Sequence, residues 1–403
     1  MQNCTPITEC LACGQADLVP TLDLKDQPLA NNFRTELSTD SEPRYPLAIN
    51  RCSDCDHLQL THAVDPKLIY THYLYVSGTS GTYLEYMNWY ANFVREQLRY
   101  WPTSVLDIGC NDGSQLDAFK KLGFDTYGVD PAENLYATSS AKHNVTLGFW
   151  NKDTASQFEE KQFDIITTQN SFAHIPDPLG YLSLAATHLQ PDGRIFISTS
   201  QADMVANGEF DTIYHEHISY YNAKSMKALA KRAGLYLVDV VKTPIHGTSY
   251  VFILAKQPLN QHRVDNILAT ETQLHMGSTY RTWTDGVNQL LIGLKDQLDE
   301  YQHWGYRVIG YGAAAKGMTL INASGIKLEC VVDDNPLKQG LYCPGTTIPV
   351  VSSDYIQQIP EDHLVVFVPL AWNFYTEIVG KIKKIRQSDR DLFLRYFPEI
   401  TTE

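Results

Sequence analysis

Tyr214-His215-Glu216-His217, followed by Ser219, Tyr220 and Tyr221, is the densest group of proton-handling side chains in the 403-residue sequence. Histidine has the side chain whose unperturbed pKa lies closest to neutral, so the cluster suits acid/base work at carbon or oxygen. A zinc-protease helix is excluded, because that pattern needs a second His four residues after the first and the position is Ser219. The alternative is a hydrogen-bonded structural cluster. Asn170-Ser171-Phe172-Ala173-His174 follows a strand ending near Thr168, which predicts Asn170, Ser171 and His174 at the carboxyl edge of a sheet, where ligands collect. Tyr70, Tyr73 and Tyr75, with Ser77-Gly-Thr-Ser80 behind them, are candidates to cover the same crevice. Taken alone, either stretch is equally consistent with packing or a turn.

A second constellation is the loop Asp107-Ile-Gly109-Cys110-Asn111-Asp112-Gly113, between a strand and a helical run from Leu116. Asn111 occupies the second glycine of a dinucleotide fingerprint, and the carboxylates of Asp107 and Asp112 would repel a pyrophosphate. A cofactor with an ammonium group fits better. S-adenosylmethionine has one, followed by a ribose diol that Asp130, next to Pro131 at the end of the following strand, is placed to bind.

Cys10-x-x-Cys13 and Cys52-x-x-Cys55 form a four-thiolate set, the usual closed shell of a structural zinc, with no position left open for catalysis. Cys4, His57 and His62 lie nearby and are read as bystanders. A last motif, Gly310-x-Gly312-x-x-Ala315 with Asp333 about twenty residues on, nearly satisfies the dinucleotide fingerprint. Lys316 directly after it offers a cation to phosphate, so a sugar-nucleotide diphosphate is as good a tenant as a dinucleotide. A Rossmann core without ligand is the remaining reading.

The elements that must position these groups follow from pattern changes along the chain. Residues 1–64 are short-stranded and turn-rich, with the paired cysteines at both ends, and predict a small zinc-clipped domain. From 65 to 258, short β-rich runs alternate with helical stretches, which predicts a parallel sheet with helices on both faces. Tyr236–Val240 and Tyr250–Leu254 are expected to pair as an antiparallel edge. Trp283, Val287, Leu290, Leu291, Leu294 and Leu298 recur at spacings of three and four, one face of an amphipathic helix bridging to a second Rossmann-like α/β domain, residues 259–403 as a whole. The fold class expected is therefore α/β, with three domains.

Composition excludes several classes. The formal charge of −14 removes the global source of phosphate neutralisation, so nucleic acid is not an expected partner. No apolar run reaches 18 residues and the first thirty residues lack a basic-then-apolar leader, so no membrane association is expected and the compartment expected is the cytoplasm, the chain working as a monomer.

In order, the Cys4 segment, the Asp107–Gly113 loop, Glu209-Phe-Asp-Thr-Ile-Tyr-His-Glu-His217, Gly310-Tyr-Gly-Ala-Ala-Ala-Lys-Gly317 and Asp333-Asp-Asn-Pro-Leu-Lys-Gln-Gly340 resemble the bacterial three-domain sugar C-methyltransferases along nearly the entire chain. The resemblance implies S-adenosylmethionine-dependent methylation beside the ketone of a nucleotide-linked 4-keto-deoxyhexose, most often at carbon 3, in deoxysugar biosynthesis. It implies a structural zinc, a middle domain holding the methyl donor and a C-terminal domain helping to bind the sugar nucleotide. Tyr214, Glu216 and His217 would be catalytic, His217 the favoured base, with Asn170 and His174 lining the sugar site. Tyr214, Tyr70, Tyr73 or Tyr75 would steady an enolate. One departure stands out: where relatives have His-Gly-Gly-Ser-Leu-Arg, this chain has His246-Gly-Thr-Ser-Tyr-Val251, without the arginine. His246, Gly312, Lys316 and Asp333 are the expected substrate contacts. The competing readings are an NAD-dependent sugar-nucleotide oxidoreductase, an O-methyltransferase and a non-enzymatic interaction protein.

Overall fold

The computed structural model describes residues 3–37, 42–70, 76–79, 81–158, 161–199, 203–243 and 249–403. Tyr73, Tyr75, Ser80 and His246 lie outside the described residues. The chain gathers into two compact units, one of Met1–Val19, Asn50–Asp203 and Glu216–His275, the other of Pro20–Ile49, Met204–His215 and Met276–Glu403. Among the described residues, no helix is long and apolar enough to cross a membrane.

The N-terminal stretch supplies β1 (Cys4–Pro6), β2 (Leu18–Gln27), β3 (Tyr45–Cys52), β4 (Leu58–Leu60) and β5 (His62–Val64). β1 and β5 pair antiparallel. The large sheet of the first unit is built from β6 (Ser104–Ile108), β7 (Asp125–Asp130), β8 (Asn144–Leu147), β9 (Phe163–Gln169) and β10 (Leu189–Thr199). After the short β11 (Ser219–Tyr220) come β12 (Tyr236–Thr243) and β13 (Ser249–Ala255), giving the order β12-β13-β10-β9-β6-β7-β8. Five strands run parallel and the last two add antiparallel at the edge, as their short connection predicted.

Alternation along the strands divides the interior in two, because successive side chains point to opposite faces. Val105, Ile165 and Phe196 pack on one side with Phe119 and Val94; Leu106, Ile166 and Ile197 pack on the other with Phe172 and Leu182. Both faces being covered, the strands read as continuous apolar runs. The second core also takes in Cys10, Cys52 and Cys55 beside Met226 and Leu229 of the helix Ala223–Arg232, so the cysteine knuckles are part of this unit's interior.

In the second unit β14 (Arg307–Tyr311), β15 (Cys330–Val332), β16 (Val350–Val351), β17 (Val365–Pro369), β18 (Leu392–Arg395) and β19 (Thr401–Thr402) order as β16-β15-β14-β17-β18-β19. All neighbours are parallel except the last pair. The amphipathic stripe forms the helix Gly277–His303, which belongs to this unit and buries Trp283, Val287, Leu291, Leu294 and Leu298.

Gly128 on β7 shows how closely the first loop is seated on the sheet: a Cβ there would lie 2.6 Å from Cys110 Sγ and 3.1 Å from Leu116 Cδ1. Gly128→Ala is therefore expected to cost about 1–3 kcal/mol through overpacking, measured by thermal or urea unfolding, with Cys110→Ala in the same chain recovering part of it. Unchanged stability of Gly128→Ala would show that the loop is not packed this tightly.

Candidate active site

β6 ends at Ile108 and the chain turns sharply. Gly109 has φ 86° and a Cβ there would meet Ser171 Oγ at 2.6 Å, so the turn needs glycine twice over, for its conformation and for the approach of Ser171. Ser171 Oγ donates to the Ile108 carbonyl (3.2 Å) and shares a 2.6 Å bond with Thr168 Oγ1. Asn111 adopts φ 52°, which Asn tolerates better than most residues, and this is how it stands in a glycine slot. Its N–H donates to Asp130 Oδ2 at 2.8 Å, while Ala132 N–H donates to Asp130 Oδ1 at 2.8 Å. Asp130 is thereby fixed at the end of β7 with a lone pair left on each oxygen. Asp112 accepts from Ser114 N–H (3.1 Å) and Gly78 N–H (2.9 Å), and Asn111 Oδ1 accepts from Ser77 N–H (2.9 Å), so the Ser77–Thr79 turn is tied directly to the loop.

Asp107 is buried on β6, its Oδ1 without a hydrogen-bond partner among the described residues. Burial and then the neighbouring Asp130 charge push its carboxyl up to about 8. Burial raises Asp130 as well. Concentrated negative charge beside an unsatisfied carboxyl suits a ligand bringing a cation and a diol, and S-adenosylmethionine fits on both counts. Asp107, Gly109, Cys110, Asn111, Asp112, Gly113, Asp130, Pro131 and Ser171 are the residues that would hold it.

At the end of β9, Asn170 N–H donates to the Ser198 carbonyl (2.7 Å) and its Nδ2 to Tyr83 Oη (3.0 Å). Tyr83, from the helix Gly81–Glu96, was not singled out in the sequence; nothing but this spatial contact marks it. His174 lies between two rings: Tyr70 stacks at 5.3 Å with an interplanar angle of 9°, and His217 at 5.2 Å and 24°. Burial, then the proximity of His217, holds His174 well below the usual imidazole range, so it stays neutral. His217 is half-buried, and Tyr70 Oη donates to the carbonyl of buried Glu216 at 3.3 Å.

Tyr214 and His215 belong to the second unit, Glu216 and His217 to the first. His215 is buried beside Tyr45, within 3.2 Å of its carbonyl, and burial lowers its pKa to about 4. Tyr214 lies in a tightly filled crevice with Leu47, Met318 and Asn322. Asp211, quoted within the Glu209–His217 motif but given no role from sequence, is a buried hub. Its Oδ2 accepts from Trp372 Nε1 and Tyr396 Oη, both at 2.8 Å, and Lys316 Nζ stands 3.8 Å from Oδ1. In the glycine loop after β14, Ala313 N–H donates to Asp333 Oδ2 (2.6 Å) and Lys338 Nζ to the Ala313 carbonyl (2.7 Å).

The four cysteine sulfurs lie within 4.8 Å of one another, with Cys10–Cys55 at 3.6 Å and Cys13–Cys52 at 3.5 Å. Thiolates about 2.3 Å from a tetrahedral zinc stand about 3.8 Å apart, so the set fits the ion. Cys55 hydrogen-bonds Cys10, lowering Cys10 to about 4 and raising Cys55, while burial takes Cys52 up to about 12. A divalent cation resolves this unequal sharing. His57 and His62 are hydrogen-bonded elsewhere, to Ser219 Oγ and Thr61 Oγ1, and Cys4 is on β1.

A Rossmann-like sheet with an acidic glycine loop after its first strand and a buried acid at the end of its second is the arrangement expected of an S-adenosylmethionine-dependent methyltransferase. Residues 10–70 match the model of a zinc binding domain, 83–240 that of a methyltransferase domain and 244–398 that of a C-methyltransferase C-terminal domain. The chain is 30% identical over 402 residues to the C-methyltransferase NovU of Streptomyces niveus, covering 95% of this chain and 94% of NovU. It belongs to the C-methyltransferase family and is an S-adenosylmethionine-dependent C-methyltransferase with a zinc-binding cysteine cluster. A ubiquinone biosynthesis O-methyltransferase of Hydrogenovibrio crunogenus is 25% identical over 152 residues, 34% of this chain and 63% of that protein. Among solved structures, Streptomyces venezuelae DesVI aligns with TM-score 0.36 and 17% identity, over 45% of this chain and 94% of its own.

An ammonium favours ionised Asp107, so cofactor binding should expel the proton that the buried carboxyl holds below about pH 8. S-adenosylhomocysteine affinity is therefore expected to climb between pH 6 and 8, and Asp107→Asn to flatten that slope while weakening binding. Calorimetry checks both. A wild-type affinity independent of pH over this range would mean that Asp107 does not meet the ligand's cation.

Proposed function

We propose that this enzyme methylates carbon 3 of a nucleotide-linked 4-keto-deoxyhexose through an enolate, in deoxysugar biosynthesis. The observation that carries the reading is the Tyr70–His174–His217 stack, beside the elements that hold the methyl donor. Carbon is a poor nucleophile until a proton leaves it, and an adjacent ketone makes the loss feasible because donors can hold the enolate oxygen. Two imidazoles stacked with centroids 5.2 Å apart disfavour charge on both, and burial keeps His174 neutral. The proton taken from carbon therefore goes to His217, the more exposed of the two, with His174 a neutral hydrogen-bonding group and Glu216 an orienter. Tyr214 or a tyrosine among Tyr70, Tyr73 and Tyr75 steadies the enolate oxygen, and Asn170 lines the sugar site.

Bound S-adenosylmethionine supplies an electrophilic methyl group; what the chain contributes to the transfer is alignment. In the C-terminal domain, Gly312, Lys316 and Asp333 serve the substrate's diphosphate, with His246 a further contact. The three-domain division, with boundaries near 64 and 258, follows this allocation of tasks. The enzyme works in the cytoplasm, on a small-molecule substrate.

With enzyme and S-adenosylhomocysteine in D₂O, dTDP-, GDP- or CDP-4-keto-deoxyhexose should take up deuterium at the carbon to be methylated. His217→Ala should lose both exchange and turnover, by about 10²–10⁴-fold, while S-adenosylhomocysteine binding stays near wild type. Turnover within a few-fold of wild type would exclude His217 as the base.

A further inference from the structure

We propose that the second zinc knuckle is the splint that sets His217 against His174, with Asp56, His57 and Gln59 as positioning residues. This rests on the reading of His217 as the base. β11, which follows His217 by one residue, is two residues long and pairs antiparallel with β4, Ser219 opposite Gln59 and Tyr220 opposite Leu58. A strand so short supplies little hold of its own. The peptide next to His217 is fixed at both ends: Ile218 N–H donates to the Ala173 carbonyl at 2.8 Å and Leu60 N–H to the Ile218 carbonyl at 2.8 Å. The first bond joins the His217 segment to the residue before His174; the second joins it to β4, directly after the knuckle.

The knuckle grips the same segment through side chains. His57 Nε2 is 3.2 Å from Ser219 Oγ, its ring lies 4.7 Å from that of Tyr221, and Asn222 Nδ2 donates to the Asp56 carbonyl at 3.0 Å. The buried Asp56 carboxylate accepts from Arg51 Nη1 (2.5 Å), Lys224 Nζ (2.7 Å) and His275 Nδ1 (2.8 Å). Gln59 reaches the other knuckle, accepting from Leu11 N–H (2.8 Å) and donating to the Glu9 carbonyl (2.9 Å). Asp56, His57, Gln59, Ser219 and Asn222 are all buried. The turn closes on itself by Cys52 N–H to the His57 carbonyl and Asp56 N–H to the Cys52 carbonyl, so joining the four thiolates holds residues 52–57, and with them 217–222. None of these bonds involves the 109–113 loop or Asp130, and the splint reaches the donor site only through the segment from Ser171 to His174.

The test uses the full chain and needs no sugar substrate. Zinc removal by a chelator should speed amide exchange across 217–222 by about tenfold or more and shift the imidazole NMR signals of His174 and His217. Exchange in 104–108 and S-adenosylhomocysteine affinity should stay within about twofold. His57→Phe, which keeps the ring and all four thiolates, should give a smaller change of the same kind with zinc content intact, and His57→Gln, which keeps a polar group at that reach, should restore it. Should His57→Phe fail to fold, chelation of the native protein decides alone. Unchanged protection of 217–222 on metal loss, or an equal loss in 104–108, would overturn the proposal. The base assignment fails separately, through an active His217→Ala.

Discussion

In each unit a carboxylate at the end of the second parallel strand is bonded back to the loop after the first, and this bond shapes the loop. Asp130, the last residue of β7, receives Asn111 and Ala132 N–H, and Asp333, the residue after β15, receives Ala313 and Asn335 N–H. Charge-assisted hydrogen bonds of this kind contribute about 1.5–3 kcal/mol each, enough to hold a loop residue such as Asn111 in a left-handed conformation. In the first unit burial, and then the charge that the lock sets nearby, raises the Asp107 carboxyl, and a cationic cofactor suits the loop. The fit of this loop to S-adenosylmethionine depends on this one arrangement.

Much of this was legible in the sequence because it is local. The β-rich runs alternating with helical stretches announced the parallel sheet, and Tyr236–Val240 with Tyr250–Leu254 its antiparallel edge. The stripe from Trp283 to Leu298 marked a helix, although it runs from Gly277 to His303; Met276, at its N-cap, makes no side-chain capping bond that could signal the start. What could not be read was contact across hundreds of residues. Pro20–Ile49 joins the second unit through bonds such as Arg34 N–H to the Tyr342 carbonyl and Gly345 N–H to Glu42, which no periodicity encodes. Asp211 likewise meets Trp372 and Tyr396 more than 150 residues away, so its acid gave no sign of being a structural hub. Lys316, conspicuous in sequence as a phosphate cation, stands beside that same buried acid.

The segment from Glu209 to His217 shows how one motif serves two settings. Its first half is stitched within the second unit, with Trp283 Nε1 on the Glu209 carbonyl and Thr319 Oγ1 on the Ile213 carbonyl. Its end, at Glu216 and His217, lies in the first unit beside Tyr70 and His174.

The central claim is that the methyl group goes to a carbon beside a ketone. The most direct measurement is turnover of 4-keto-deoxyhexoses linked to dTDP, GDP or CDP with donor carrying a ¹³C-labelled methyl, followed by two-dimensional NMR of the product. The account predicts a methyl bonded to carbon 3, with that carbon's hydrogen replaced. A labelled methyl bonded to oxygen would contradict it.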